Sequence, residues 1–144
     1  MLEDILDIAA LYAGRLYVEL KSADPAAVID CLTRHDAMDR CFFWSHDLSQ
    51  IRQLRDQMPD ADIMVRRQDL PGRDAVLAMS PAVVEFRPDD DPAEFDACRA
   101  AGAEVMVAYM GRDMSVFARL RDMAPDMVNL PHPFAFRRWL AAQT

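Results

Sequence analysis

The sequence predicts an α/β fold built on a mostly parallel sheet. Six short runs rich in β-branched or aromatic residues recur along the chain: Leu16–Leu20, Cys41–Ser45, Ala61–Arg66, Ala82–Arg87, Glu104–Met110 and Asp126–Leu130. Their starts are roughly 20 to 25 residues apart, the length of a compact strand-plus-helix unit. A polar turn and a helical pattern follow most of them, and strands that alternate with helices imply parallel pairing. Several runs are apolar on both faces, as strands between a core and a helix layer should be. Six such units fit an open doubly wound sheet or part of a (β/α) barrel. No Gly-rich loop follows any run, which argues against a dinucleotide site and a P-loop.

The helices have readable starts. Residues 2 to about 12 place Ile5, Ile8, Ala9 and Tyr12 on one face, with Gly14 as a stop. Asp24-Pro25 sets a cap before a proline at the first helical position. Asp47 opens a second cap, leading to Ile51, Leu54 and Met58 at helical spacing. Asp91-Pro92-Ala93-Glu94 repeats the cap–proline pattern and adds an acid at the third position. Val116, Leu120 and Met123 form a stripe before Pro125. Between residues 69 and 80, Pro71-Gly72 marks a turn and Asp74–Met79 a short helix. No linker, low-complexity tract or charge block divides the chain, so residues 1–144 read as a single domain.

Composition narrows the function classes. The chain has 144 residues, 52% of them hydrophobic and 28% charged, which suits a soluble globular domain. Its net charge is −8 and no basic stripe appears, so neither nucleic acid nor an anionic membrane is an expected partner. No apolar run is long enough for membrane insertion, and the acidic start Met1–Asp7 has no signal-peptide pattern. The three cysteines, Cys31, Cys41 and Cys98, have no C-x-x-C spacing and read as reduced thiols of a cytoplasmic protein.

Lys21 is the only lysine among sixteen Lys and Arg residues. It lies in Tyr17-Val18-Glu19-Leu20-Lys21, where alternation puts Tyr17, Glu19 and Lys21 on one face. A carboxylate and an ammonium at a strand end suit a metal ion and a phosphate. They equally suit an exposed ion pair of little energetic consequence.

The order of local motifs is more specific than the spacing. A helix with Leu2-Glu3-Asp4-Ile5-Leu6 precedes Val18-Glu19-Leu20-Lys21. A strand ending Ser45-His46-Asp47 follows, then a helix ending Met58-Pro59. Later come Gly102-Ala103-Glu104-Val105-Met106-Val107, Tyr109, and Asp126-Met127-Val128-Asn129-Leu130-Pro131-His132-Pro133. In that order the chain resembles the C-terminal two-thirds of a glycerophosphodiester phosphodiesterase, a family of TIM (β/α)8 barrels that use a divalent cation. The resemblance implies an incomplete TIM-barrel-like fold of about six βα units, strands three to eight.

The resemblance also implies roles. Glu19 matches the family's metal-binding glutamate on strand three, with Mg2+ or Ca2+ as the cofactor. Lys21 matches the lysine near the substrate phosphate, so Glu19 and Lys21 are the candidate catalytic pair. Ser45 and Asp47 match the Ser-Phe-Asp end of strand four, with His46 in place of the phenylalanine. Ala108 stands where many members have a pocket tryptophan, and Tyr109 where they have a threonine. Leu130 and Pro131 replace the usual Thr-Asp, while Pro133 keeps that motif's proline. The family's His-Arg-Gly strand, Glu-Asn-Thr turn, Glu-x-Asp strand and His-Asp element are not found ahead of the first helix. They supply the acid–base histidines and the remaining metal ligands, so the chain is expected to bind a phosphodiester but turn it over weakly or not at all.

Other candidates rest on position. His46 follows strand four and reads either as a pocket residue or as an exposed turn histidine. Glu85 and Arg87 share one strand face and read either as pocket lining or as an internal ion pair. Tyr109, at a strand end, reads as a pocket wall or as plain packing. His35 reads as a helix-end residue beside Arg34 and His132 as a loop residue. A partial barrel would leave its first and last strands unpaired, which points to a homo-oligomer formed through exposed edges. A non-catalytic oligomeric module is therefore the alternative function.

Overall fold

A computed structural model describes residues 2–12 and 14–143. Met1 and Thr144, the bounds expected for a single domain, and Ala13 lie outside the described residues. Two compact units make up the chain, Met1–Met64 and Val65–Thr144.

The first unit contains α1 (Leu2–Ala9), β1 (Leu16–Leu20), α2 (Pro25–Arg34), β2 (Cys41–Ser45) and α3 (Leu48–Gln57). Strands β1 and β2 pair in parallel, with Leu16 opposite Cys41 and Leu20 opposite Ser45. Ile63 adds a parallel bridge to Phe43. All five residues of β2 are buried, whereas β1 alternates, with Tyr17 and Glu19 exposed and Leu20 buried. That alternation puts Glu19 on the solvent-facing side of β1. Tyr17 stacks on Phe42, with ring centroids 5.2 Å apart and planes 3° apart.

The caps read from the sequence are present. Asp24 accepts a hydrogen bond from the N–H of Ala26 at 3.1 Å, with Pro25 in the first turn of α2. Asp47 accepts from the N–H of Ser49 at 2.8 Å and opens α3. The first helix differs from expectation. It ends at Ala9, followed by a turn, and it turns Leu6 inward. Ile5, Ile8 and Tyr12, which share one face, are exposed. The guanidinium of Arg40 ends the turn by donating to the carbonyls of Ala9 and Tyr12 at 3.1 and 3.0 Å.

The second sheet has four strands in the order β3 (Met64–Arg66), β4 (Val83–Phe86), β5 (Glu104–Ala108) and β6 (Met127–Asn129). The β4–β5 and β5–β6 pairs are parallel. Helices α4 (Arg73–Leu77), α5 (Ala93–Ala100) and α6 (Val116–Asp122) link the strands. Helix α7 (Pro133–Ala141) follows β6, with Pro133 in its first turn. Neither sheet closes on itself, as an incomplete barrel requires. The core of the second unit is built on β4 and β5, with Val83, Val84, Phe86, Val105 and Val107 fully buried. Asp91 caps α5 by accepting from the N–H of Ala93 at 2.9 Å. Glu94 does not reach back to complete a capping box; it pairs with Arg67 at 2.6 Å.

Candidate functional site

Each unit has a pocket at the carboxyl ends of its strands, where open α/β sheets and barrels place their ligands. In the first unit the cavity is about 580 Å³ and is lined by Glu19, Lys21, Trp44, Ser45, His46 and Asp47. The structure thus brings Glu19, Lys21 and His46 to one rim. Lys21 Nζ lies 3.4 Å from Glu19 Oε2, with 75% and 41% of the two side chains exposed. An ion pair this exposed contributes little to stability, so it breaks at little cost when a ligand competes for either charge.

The floor beneath the pair is built by hydrogen bonds. Ser45 Oγ donates to the carbonyl of Leu20 at 2.7 Å and accepts from the N–H of Asp47 at 3.1 Å. Gln50 Nε2 donates to the carbonyl of Lys21 at 2.8 Å. Ser45 and Gln50 therefore tie the end of β1 to β2 and α3, which holds Lys21 at the rim. The His46 ring meets Trp44 edge-on, with centroids 6.2 Å apart. Asp47 is engaged as the α3 cap, and the N–H of Ser49 holds its carboxyl below the usual range. Gln50 escaped the sequence reading because its role is carried by a backbone carbonyl 29 residues away.

A hard cation needs several oxygen ligands. Glu19 offers one carboxylate and shares it with Lys21, while Asp47 is committed to a helix cap. Glu19 belongs to no group of three convergent ligands among the described residues. These residues do not by themselves fit a Mg2+ or Ca2+ site. The sequence does contain His35-Asp36, His46-Asp47 and Glu94-Phe95-Asp96, but not in the family's setting. The first ends α2, the second leads into α3 and the third lies within α5.

In the second unit a cavity of about 630 Å³ gathers Arg66, Glu85, Arg87, Tyr109 and Arg119. Arg66 is engaged by Asp69 through two contacts of 2.7 and 2.9 Å. Glu85 is buried, and Asn129 Nδ2 donates to it at 3.4 Å. Burial pushes its carboxyl up, and the Asn129 hydrogen bond opposes that. No Glu85–Arg87 ion pair forms; both side chains line the cavity instead. Tyr109 has its N–H bonded to the Asn129 carbonyl at 3.0 Å, and its hydroxyl accepts from the N–H of Asp113 at 3.0 Å. Its ring packs so closely over Gly111 that a Cβ there would overlap it. Arg66 and Arg119 went unread in the sequence because they converge from β3 and α6. His132 lines a smaller apolar cavity of about 230 Å³ with Leu130 and Pro131.

No family model matches the chain, and no curated protein matches it. Solved structures do match. A glycerophosphodiester phosphodiesterase from Agrobacterium tumefaciens is 28% identical, with a TM-score of 0.84 over 94% of this chain and 59% of its own. One from Parabacteroides distasonis is 17% identical, with a TM-score of 0.82 over 99% and 64%. An Oleispira antarctica phosphodiesterase, solved with its product sn-glycerol-3-phosphate, is 18% identical, with a TM-score of 0.77 over 97% and 60%. The chain spans about three-fifths of the length of these proteins. With parallel strands, unclosed sheets and nearly its whole length superposed on them, this chain resembles the glycerophosphodiester phosphodiesterases.

Proposed function

We propose that the chain binds the phosphate of a glycerophosphodiester in the pocket where β1 and β2 end. We propose too that these 144 residues hydrolyse such a diester to glycerol phosphate and an alcohol weakly or not at all. The observation that carries the reading is the Glu19–Lys21 pair: an exposed ammonium on a cavity rim, held only by a weak ion pair. Lys21 acts as a point charge against phosphate, and Ser45 and Gln50 position its backbone. Hydrolysis needs a group to activate the nucleophile and one to protonate the leaving alkoxide. Glu19 and Lys21 do not supply both roles while paired with each other. Any Mg2+ or Ca2+ bound through Glu19 needs oxygen ligands beyond those gathered in this pocket. The setting proposed is cytoplasmic lipid and glycerol metabolism.

The test is a titration with sn-glycerol 3-phosphate and glycerophosphocholine, followed by an assay of the diester with Mg2+ or Ca2+. Binding should weaken with added salt and fall about tenfold in Lys21→Met, the equivalent of roughly 1.4 kcal/mol. Turnover should be absent or marginal. Robust turnover abolished by Glu19→Ala would overturn the inactivity while supporting the site. Phosphate binding indifferent to Lys21→Met would sink the assignment of the site. A second reading, a non-catalytic assembly module, is favoured by the pairing pattern: among the described strands, β1 stands at the end of its sheet beside β2, and β6 at the end of its sheet beside β5.

A further inference from the structure

Helices α1 and α2 face each other with two pairs of metal-binding side chains. Glu3 and Asp7 are four residues apart on α1. Cys31 and His35 are four apart at the end of α2. That spacing puts each pair on one helix face. Ligand atoms of Glu3, Cys31 and His35 all lie within 4.8 Å of one another. In a tetrahedral zinc site the ligand atoms stand about 2.0–2.3 Å from the ion, hence about 3.5 Å from each other. Closing from the observed spacing takes side-chain shifts on the order of 1 Å.

The surroundings suit such an ion. Asp7 Oδ1 lies 3.4 Å from His35 Nδ1, the carboxylate–imidazole contact that commonly orients a ligating histidine. Arg34 holds Glu3 Oε1 through two contacts of 3.2 Å, leaving the other carboxylate oxygen for a cation. Cys31 is a free, buried thiol. Helix α1 buries only Leu6, so a metal bridging it to α2 would secure an element that packing holds weakly.

We propose that Glu3, Cys31 and His35 form a site for a zinc-class transition-metal ion, with Asp7 as the carboxylate that orients His35. A thiol, an imidazole and one carboxylate select Zn2+ over Mg2+ or Ca2+, which take oxygen ligands. On binding, the Cys31 S–H bond breaks, a sulfur–metal bond forms and the proton passes to solvent. Affinity therefore rises with pH. The site is independent of the Glu19–Lys21 pocket.

The experiment titrates the full chain with Zn2+, and with Co2+ as a spectroscopic probe. One equivalent should bind, Co2+ should show a thiolate-to-metal charge-transfer band, and Zn2+ should raise the Tm. Cys31→Ser should abolish the band. Glu3→Gln should weaken binding at least tenfold. Asp7→Asn should weaken it about 10- to 100-fold, as loss of an outer-shell partner does. Glu19→Gln and Cys98→Ser should leave the titration unchanged. Absence of the charge-transfer band, or full affinity retained in Glu3→Gln, would overturn the site.

Discussion

Glu85 is a buried carboxyl whose surroundings disfavour its charged form. Desolvation raises its carboxyl pKa, and the single hydrogen bond from Asn129 is a weaker, opposing influence. A raised folded-state pKa means the native state favours the protonated acid. Its stabilising contribution is full below the unfolded value, about pH 4, and is lost as pH rises through the higher folded value. Glu85→Gln should therefore raise stability at pH 7 while leaving it unchanged below about pH 4. Chemical denaturation of both proteins across pH reads this directly, and a wild type equal to the variant at pH 7 would contradict it. Glu85 lines a cavity with Arg87 and Arg119. The sequence showed Glu19 and Lys21 because period-two alternation places neighbours on one face. It showed Glu85 and Tyr109 only as residues at strand ends. Their meeting with Arg66 and Arg119 depends on β3, β4, β5 and α6 converging, which no local pattern encodes. The same holds for Glu3, Cys31 and His35, whose partnership exists only because α1 packs beside α2.

At the scale of elements, Asp126 joins three of them. Its N–H donates to the carbonyl of Val105 at 2.9 Å, and its carboxylate accepts from the N–H of Val105 at 2.8 Å. Arg99 of α5 donates to the same carboxylate oxygen at 3.2 Å and to the carbonyl of Ala124 at 2.8 Å. The residue thus sets the register of β5 against the start of β6 and ties α5 to both. The Val105 N–H holds its carboxyl below the usual range. That contribution is present above the unfolded pKa, about 3.9, and is lost as pH falls through the lower folded value. Asp126→Ala should cost about 1–2 kcal/mol at pH 7, the low end for a hydrogen bond to a charged group because solvent screens the half-exposed carboxylate, with the difference shrinking in acid. Urea unfolding monitored by circular dichroism measures it, and a loss that persists unchanged at low pH would count against the carboxylate. Elements were read well where chemistry is local. The Asp24, Asp47 and Asp91 caps are each a side chain bonding an N–H two residues on. The helical spacing of Ile5, Ile8, Ala9 and Tyr12 predicts a helix to about Tyr12, whereas α1 ends at Ala9 and leaves Ile5, Ile8 and Tyr12 exposed. The sequence reading stops at the loop Pro131-His132-Pro133, although Pro133 starts a helix well and α7 follows it.

At the scale of the whole molecule, the outermost strands of the two sheets raise the question of association. An edge strand presents a row of unpaired N–H and C=O groups, and proteins commonly blunt such edges with charge, proline or covering structure. β1 pairs on one side with β2, and β6 on one side with β5. Neither Leu16–Leu20 nor Met127–Asn129 contains a proline or a lysine, the residues that most often discourage edge pairing. The single charge within these strands is Glu19, already offset by Lys21. The net charge of −8 opposes association over distance, but salt screens it within about 8 Å at physiological ionic strength. Edge pairing between two copies is therefore the prediction at this scale. The expected state is a homo-oligomer whose mass in light scattering rises with protein concentration and with salt. Hydrogen exchange locates the contact: amides within Leu16–Leu20 or Met127–Asn129 should exchange more slowly in concentrated than in dilute protein, while core amides of β4 stay unchanged. A monodisperse monomer across the concentration series, unfolding cooperatively, would defeat the edge-pairing account.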